Sequence, residues 1–301
     1  MKHIFIINPV SGHGRSSKLV PWIHAYFMNR EDEYQIHMTT GKGHASQLAA
    51  QYSVKDDVTV YACGGDGTAY EVLNGIQKGV PMAVIPSGTG NDFTRSFQYP
   101  KHLKDLKEIL IQTIEGRNVQ IDIGEANGIL FHNCTTMGLD AKVTIKAEKV
   151  GKKLLLPSKL VYIVSLFLTL KERAPVELHL TLDGKTTVHQ MILCAVMNGK
   201  YYGGGFKPTP DASVQDGLFD VCLVDYCSLG TILRLLPKYM FGTHTHEKQA
   251  HFYKADKVVI KTPAEAIASQ IDGEVFHLQE YKFIMHPKWL TARVPQNCEI
   301  H

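Results

Sequence analysis

The chain has 301 residues, 44% of them apolar and 20% charged, with 32 Lys and Arg against 29 Asp and Glu for a formal net charge of +3. This length suggests about two domains, and the composition supports a sizeable core, which excludes a disordered chain. The charge is too small and too dispersed to point to nucleic acid, although it would not oppose approach to an anionic bilayer.

Ile4–Ile7 is a short apolar run ending at Asn8-Pro9. It reads as a buried strand, too short for a signal peptide. A helix from about Ser16 to Met28, a strand Tyr34–Met38, a helix His44–Tyr52, a strand Val58–Ala62, a helix Thr68–Gln77 and a strand Met82–Ile85 follow. This alternation predicts a parallel sheet with helices on both faces and a ligand at the carboxyl ends of its strands. The pattern changes near Asp122. Val119–Ile123, Ile129–Met137, Val176–Leu182, Val188–Val196, Leu218–Asp225, Lys257–Lys261, Ile267–Ile271 and Glu274–Met285 read as strands, many separated by turns such as Asp183-Gly184 and Asp272-Gly273. They predict an antiparallel sandwich or barrel, interrupted by helices at Leu139–Val150, Pro157–Lys171 and Leu229–Phe241. The boundary is placed after residue 122. The first domain is 1–122, the second 123–287, and the tail 288–301 is free to rejoin the first. No segment is long enough to span a bilayer, so a soluble protein with at most peripheral membrane contact is expected. The six cysteines are scattered without a C-x-x-C pair, as expected of reduced thiols in the cytoplasm.

Four loops of the first domain share one design: Asn8-Pro9-Val10-Ser11-Gly12-His13-Gly14, Thr39-Thr40-Gly41-Lys42-Gly43, Gly64-Gly65-Asp66-Gly67-Thr68 and Pro86-Ser87-Gly88-Thr89-Gly90-Asn91-Asp92. Each puts small residues between a strand and a helix. Glycine lets the backbone approach an anion, and the N–H groups of a helix start favour phosphate. Ser11, Thr39, Thr68 and Thr89 add hydroxyls. One such loop could simply be a tight turn, but four at equivalent positions point to a phosphate site. No Walker A sequence is present.

Gly64-Gly65-Asp66-Gly67-Thr68, with Glu71 and Asn74 behind it, resembles the nucleotide signature of the diacylglycerol kinase catalytic superfamily, which includes sphingosine and ceramide kinases and, more distantly, NAD kinases. Pro86–Phe93 resembles that family's second nucleotide loop. The likeness continues at Asp122-Ile123-Gly124, Asp216-Gly217-Leu218-Phe219 and Ile271-Asp272-Gly273-Glu274, covering nearly the whole chain in order. It is strongest toward soluble bacterial lipid kinases. The resemblance implies an α/β nucleotide domain with a parallel sheet, a β-rich antiparallel sandwich for the lipid, and an active site in the cleft between them. Asn8, Pro9, Ser11, Gly12, Thr39, Gly64, Gly65, Asp66, Gly67, Thr68, Glu71, Ser87, Gly88, Thr89, Asn91 and Asp92 would hold ATP. Asp272 would be the general base, although Asp-Gly is also an ordinary hairpin turn. Glu274, two residues along the strand, would tune that base or help hold metal.

Asp66, Asp92 and Asp122 beside a triphosphate call for Mg²⁺ to offset their repulsion. A helix cap for Asp92 and a loop-stabilising role for Asp66 are the plainer alternatives. The resemblance also implies a structural Mg²⁺ at Ser213, Asp216 and the carbonyl of Leu218, where the alternative is a turn before a strand. One departure stands out: His13 and Arg15 occupy the region where the first loop of the family often carries Lys. His244, His246 and His251 lack metal-site spacing and read as a solvated loop. Tyr201–Phe206 is either a lid or an ordinary loop. Leu154–Leu170 is a core helix or an acyl-chain wall. The expectation is an ATP-dependent kinase for diacylglycerol or a related lipid, peripheral to the membrane, with a homodimer left open. The alternatives are another acceptor (a sphingoid base, phosphatidylglycerol or a soluble metabolite) and a non-catalytic nucleotide- or lipid-binding protein.

Overall fold

A computed structural model describes residues 1–99, 103, 105–153, 158–170 and 173–300. The chain divides into two units, Met1–Ile123 with Pro287–His301, and Gly124–His286.

In the first unit, β1 (Lys2–Ile7) lies between β2 (Glu33–Met38) and β3 (Val58–Gly64), and β4 (Met82–Pro86) lies outside β3, all parallel. Every residue of β3 is buried, as a strand covered on both faces requires. Helices α1 (Leu19–Phe27), α2 (His44–Ala49) and α3 (Asp66–Leu73) make the crossovers. Leu19, Ile23 and Phe27 recur at helical spacing and meet Phe5, Ile7, Tyr61 and Ile85 in the core. A helix absent from the sequence reading, α4 (Leu106–Ile114), closes the same core with Leu106, Leu110 and Ile114. It is capped by Asp105, whose carboxylate accepts from the N–H groups of Lys107 and Glu108. The sheet order β4-β3-β1-β2 reverses direction at β1. The switch point therefore falls at the carboxyl ends of β1 and β3, where an open α/β sheet binds its ligand. β5 (Phe97–Gln98) pairs with the terminal strand Glu299–Ile300, and β6 (Arg117–Ala126) leads into the second unit.

The second unit is antiparallel. β7 (Ile129–Phe131) folds back on β6 through Asn127-Gly128. β8 (Cys134–Gly138) pairs with β10 (Lys185–Met197), which also pairs with β9 (Val176–Leu182) and β11 (Phe219–Asp225). β12 (Ala250–Ala255) adds to β11, and β13 (Lys257–Lys261) to β9. β14 (Ile267–Ile271) joins β8 to β15 (Glu274–Leu278), and β16 (Glu280–Val294) pairs with β13 before its end returns to the first unit, where Ala292 lies beside Met82. Three tight hairpins, at Asn127-Gly128, Asp183-Gly184 and Asp272-Gly273, hold both turn residues at positive φ, the primed geometry that matches strand twist. Helices α5 (Leu139–Lys153), α6 (Ser158–Leu170) and α7 (Leu229–Phe241) pack Leu139, Val143, Leu166, Leu170, Ile232, Leu235 and Tyr239 over the sheet face that bears Ile192, Ala195, Cys222 and Val224. Of the expected segments, residues 154–157 and 171 lie outside the described residues.

Four points of the sequence reading need correction. The run 129–137 is two strands broken at His132-Asn133, and 274–285 is two strands broken at Gln279. β12 has no counterpart in the sequence reading. His244 is not on a solvated loop: it is buried between the rings of Tyr239 and Phe252, and burial lowers its pKa.

Candidate functional site

In the first unit the loops after β1, β3 and β4 are joined backbone to backbone. Asn8 N–H donates to Cys63 O (3.0 Å), and Ser87 and Gly88 N–H donate to Gly64 O (3.0 and 3.2 Å). A Cβ on Gly88 would stand 2.3 Å from Gly65 Cα, and one on Gly12 (φ 57°) would stand 2.0 Å from Ser87 O. Glycine is required at both places. Side chains finish the joint. Asn8 Nδ2 donates to Thr68 Oγ1 (3.2 Å), Ser16 and Ser87 hydroxyls meet at 2.6 Å, and Asn91 closes its own loop by accepting from Gly88 N–H (3.1 Å) and donating to Gly88 O (2.9 Å). Pro9 O accepts from Ser17, Thr39 N–H donates to Ile7 O, and Gly67 and Thr89 are exposed. The expected residues of the three loops therefore meet at the sheet's switch point, around the N-terminus of α3.

The acids of this unit work on the scaffold. Glu71 accepts from Gly43 N–H (2.8 Å) and Ala45 N–H (3.1 Å), tying the loop after β2 to α3. Asp66 accepts from Phe93 N–H (3.1 Å) and lies where a Cβ of Gly90 would be. Asp92 is buried and paired with Arg95 (3.1 Å), whose guanidinium also donates to Gly90 O. Asp122, also buried, accepts from Lys288 N–H (2.7 Å). Arg15 is exposed, and His13 sits at positive φ beside it.

In the second unit Asp272 turns its side chain inward, to 1% exposure. Its Oδ2 accepts from His132 N–H (2.7 Å) and its Oδ1 from the N–H groups of Asn133 (3.1 Å) and Cys134 (3.0 Å). His132 Nδ1 lies 3.2 Å from Oδ2. Asp272 N–H in turn donates to Cys134 O (2.9 Å). This capture is what breaks the run 129–137 into two strands. Burial raises the carboxyl pKa above the usual value, and His132 and the three amides only partly offset it. Glu274 faces Ile271 across the same hairpin.

The residues expected to hold a structural Mg²⁺ are engaged otherwise. Asp216 Oδ2 binds Lys254 Nζ (2.8 Å), its Oδ1 accepts from Leu218 N–H (3.1 Å), and Ser213 Oγ accepts from Gln215 N–H (3.3 Å). Among the described residues no three His, Cys, Asp or Glu side chains come together as a metal would need. With the Lys254 ammonium already on the single carboxylate of Ser213, Asp216 and Leu218, this donor set as placed does not fit a second cation.

Sequence reading missed a cavity of about 80 Å³ in the second unit, between α5–α7 and the sheet. Leu166, Ile192, Phe206, Ile232, Leu235 and Leu236 form much of its wall, and Cys227 lies in it. The lining is almost wholly apolar. Its polar corner is Asp140, buried, which accepts from Tyr202 Oη (3.0 Å) and Thr136 Oγ1, with Tyr239 Oη 3.3 Å from Tyr202. The segment Tyr201–Phe206 thus supplies part of the wall, as does the described part of Leu154–Leu170. Among the described residues no helix is long and apolar enough to cross a membrane.

Residues 2–126 match the model of the diacylglycerol kinase catalytic domain, and residues 133–293 that of the YegS C-terminal NAD kinase beta sandwich-like domain. A diacylglycerol kinase of Mycobacterium tuberculosis H37Rv is 30% identical over 86% of this chain and 84% of its own. One of Bacillus subtilis strain 168 is 29% identical over 89% and 88%. A crystal structure of a diacylglycerol kinase from Bacillus anthracis str. Sterne, 23% identical, has the same fold, with a TM-score of 0.72 over 97% of this chain and 96% of that one. Both units are matched by family models and the relatives align along most of the length, and the chain belongs to the bacterial diacylglycerol kinase family of lipid kinases.

Proposed function

We propose that this chain transfers the γ-phosphoryl group of ATP to the hydroxyl of diacylglycerol or a closely related lipid, giving phosphatidate or its analogue and ADP. The observation that carries the choice of a lipid acceptor is the apolar cavity of the second unit. Its wall is almost wholly apolar, which suits an acyl chain and not a soluble metabolite. Such an acceptor places the work at a bilayer surface.

In this reading the loops after β1, β3 and β4 receive the triphosphate through backbone N–H groups and the hydroxyls of Ser11, Thr68 and Thr89. A Mg²⁺ ion complexed to the nucleotide would offset the charge of its phosphates. Asp66, Asp92 and Asp122 keep the loops in shape through the N–H groups and guanidinium they hold. The lipid hydroxyl oxygen forms the new P–O bond, the bond from the γ-phosphorus to the bridging oxygen breaks, ADP leaves, and the hydroxyl proton goes to Asp272. Burial makes that carboxylate a stronger base than an exposed one. The role requires one Asp272 oxygen to exchange an amide contact from the 132–134 turn for the lipid hydroxyl.

The test is labelled ATP with Mg²⁺ and vesicles containing diacylglycerol, sphingosine, ceramide or phosphatidylglycerol, and NAD in a separate tube. Label in phosphatidate is expected. Label in NAD alone would refute the lipid reading. Nucleotide binding without label in any product would make the chain a binding protein.

A further inference from the structure

The cluster at Asp216 and Asp220 departs from what the resemblance implies. Asp220 on β11 and Lys254 on β12 are direct cross-strand partners, so the sheet register itself delivers the ammonium to the carboxylate. Lys254 Nζ lies 3.1 Å from Asp220 Oδ2 and 2.8 Å from Asp216 Oδ2. Asp216 reaches this point because the turn before β11 folds back at Gly217 (φ 75°) and locks Asp216 Oδ1 onto Leu218 N–H. The Asp220 side chain is only 12% exposed, and the Asp211 carboxylate also bears on it electrostatically. A paired acid so placed needs a cation. Mg²⁺ would need oxygens converging at about 2.0–2.1 Å in an octahedron. Here the ammonium already stands between the two carboxylates, and Ser213 is turned to Gln215 N–H.

We propose that Lys254 is the resident cation of this turn, replacing within the chain the divalent ion that the resemblance implies. The β-rich unit then holds its Asp216–Leu218 turn by a tethered charge, and its stability does not respond to divalent metal.

The experiment uses the full chain without nucleotide or lipid, so its outcome is separate from that of the kinase assay. Elemental analysis and thermal unfolding are run after EDTA treatment and across an MgCl₂ titration. The wild-type chain is expected to carry no stoichiometric divalent metal and to unfold within about 1 °C of the same temperature from zero to about 10 mM Mg²⁺. Lys254→Met should unfold about 2–4 °C lower and recover part of that loss with Mg²⁺. Adding Asp216→Asn should abolish the recovery. Lys254→Arg, which keeps the charge, should remain indifferent to Mg²⁺ and serves if the Met variant does not fold. One Mg²⁺ per wild-type chain, removed by EDTA with a fall in unfolding temperature and lost in Asp216→Asn, would overturn the proposal. So would a Lys254→Met chain that unfolds at the wild-type temperature.

Discussion

The two units shape their chemically important turns by opposite means. In the first, shape comes from leaving side chains out: the loops after β1, β3 and β4 touch backbone to backbone, and a single methyl at Gly12 or Gly88 would collide with main chain. In the second, shape comes from putting one side chain in: Asp272 gathers three amides of the 132–134 turn around a buried carboxylate. The first design should fail when atoms are added, and the second when charge is removed.

Removing the charge should have the largest effect. Asp272→Asn is expected to lower turnover by about 10²–10⁴-fold, the usual loss for a general base, while MgATP affinity measured by calorimetry stays unchanged. It should also lower the melting temperature, because one carboxamide oxygen cannot accept what two carboxylate oxygens do. A variant that folds, binds ATP and keeps near-normal turnover would take the proton-accepting role from Asp272.

Adding atoms comes next. Gly88→Ala should cost about 1–3 kcal/mol by overpacking and weaken ATP binding by up to about 100-fold. Gly65→Val should act from the other side of the same contact. Gly67→Ala meets nothing within 4 Å and should leave both properties near wild type. If Gly88→Ala and Gly67→Ala behave alike, close backbone approach is not what matters in the first unit.

Protons separate the units in a third way. Burial lowers the pKa of His3 from 6.5 to about 4. Its neutral form stabilises the first unit fully above pH 6.5, and that contribution is lost as the pH falls through about 4. Urea unfolding should therefore show a loss of about 2 kcal/mol between pH 7 and 5, absent in His3→Gln. Burial of Asp272 has the opposite sign: its contribution is present below the ordinary carboxyl range and declines as the pH rises through its raised value. An acid limb that stays steep in His3→Gln would remove this contrast. The smallest expected change is at the cavity. Leu236→Trp should raise the KM for long-chain diacylglycerol by about 10-fold and leave the KM for ATP alone. Equal effects on both would separate the cavity from the lipid.

Much of the first unit could be read from the sequence, because a glycine-containing loop follows each of its four parallel strands. Four repeats of that punctuation fixed the sheet class and located the loops. The packing between loops was not legible, since Gly12 and Ser87 are distant in sequence and no local pattern links them. In the second unit the Asp-Gly pairs announced their hairpins. The break at His132-Asn133 did not announce itself, because Ile129–Met137 contains no glycine or proline and the interruption is imposed by Asp272 from 139 residues away. β12 was hidden for a related reason: Ala-His-Phe-Tyr-Lys-Ala has no clean alternation, and its strand state comes from pairing with β11. The cavity is a property of three helices over one sheet face, so no single segment could have shown it.

Five of the six cysteines are buried, and Cys227 is the exception. Desolvation holds its thiol above the ordinary pKa, so it reacts slowly at neutral pH. Because this half-shielded sulfur belongs to the cavity wall, a guest seated against it would screen it from a maleimide. The protein thereby contains a built-in chemical gauge: the alkylation rate of one native thiol reports how full the chamber is, with no label introduced and no turnover required.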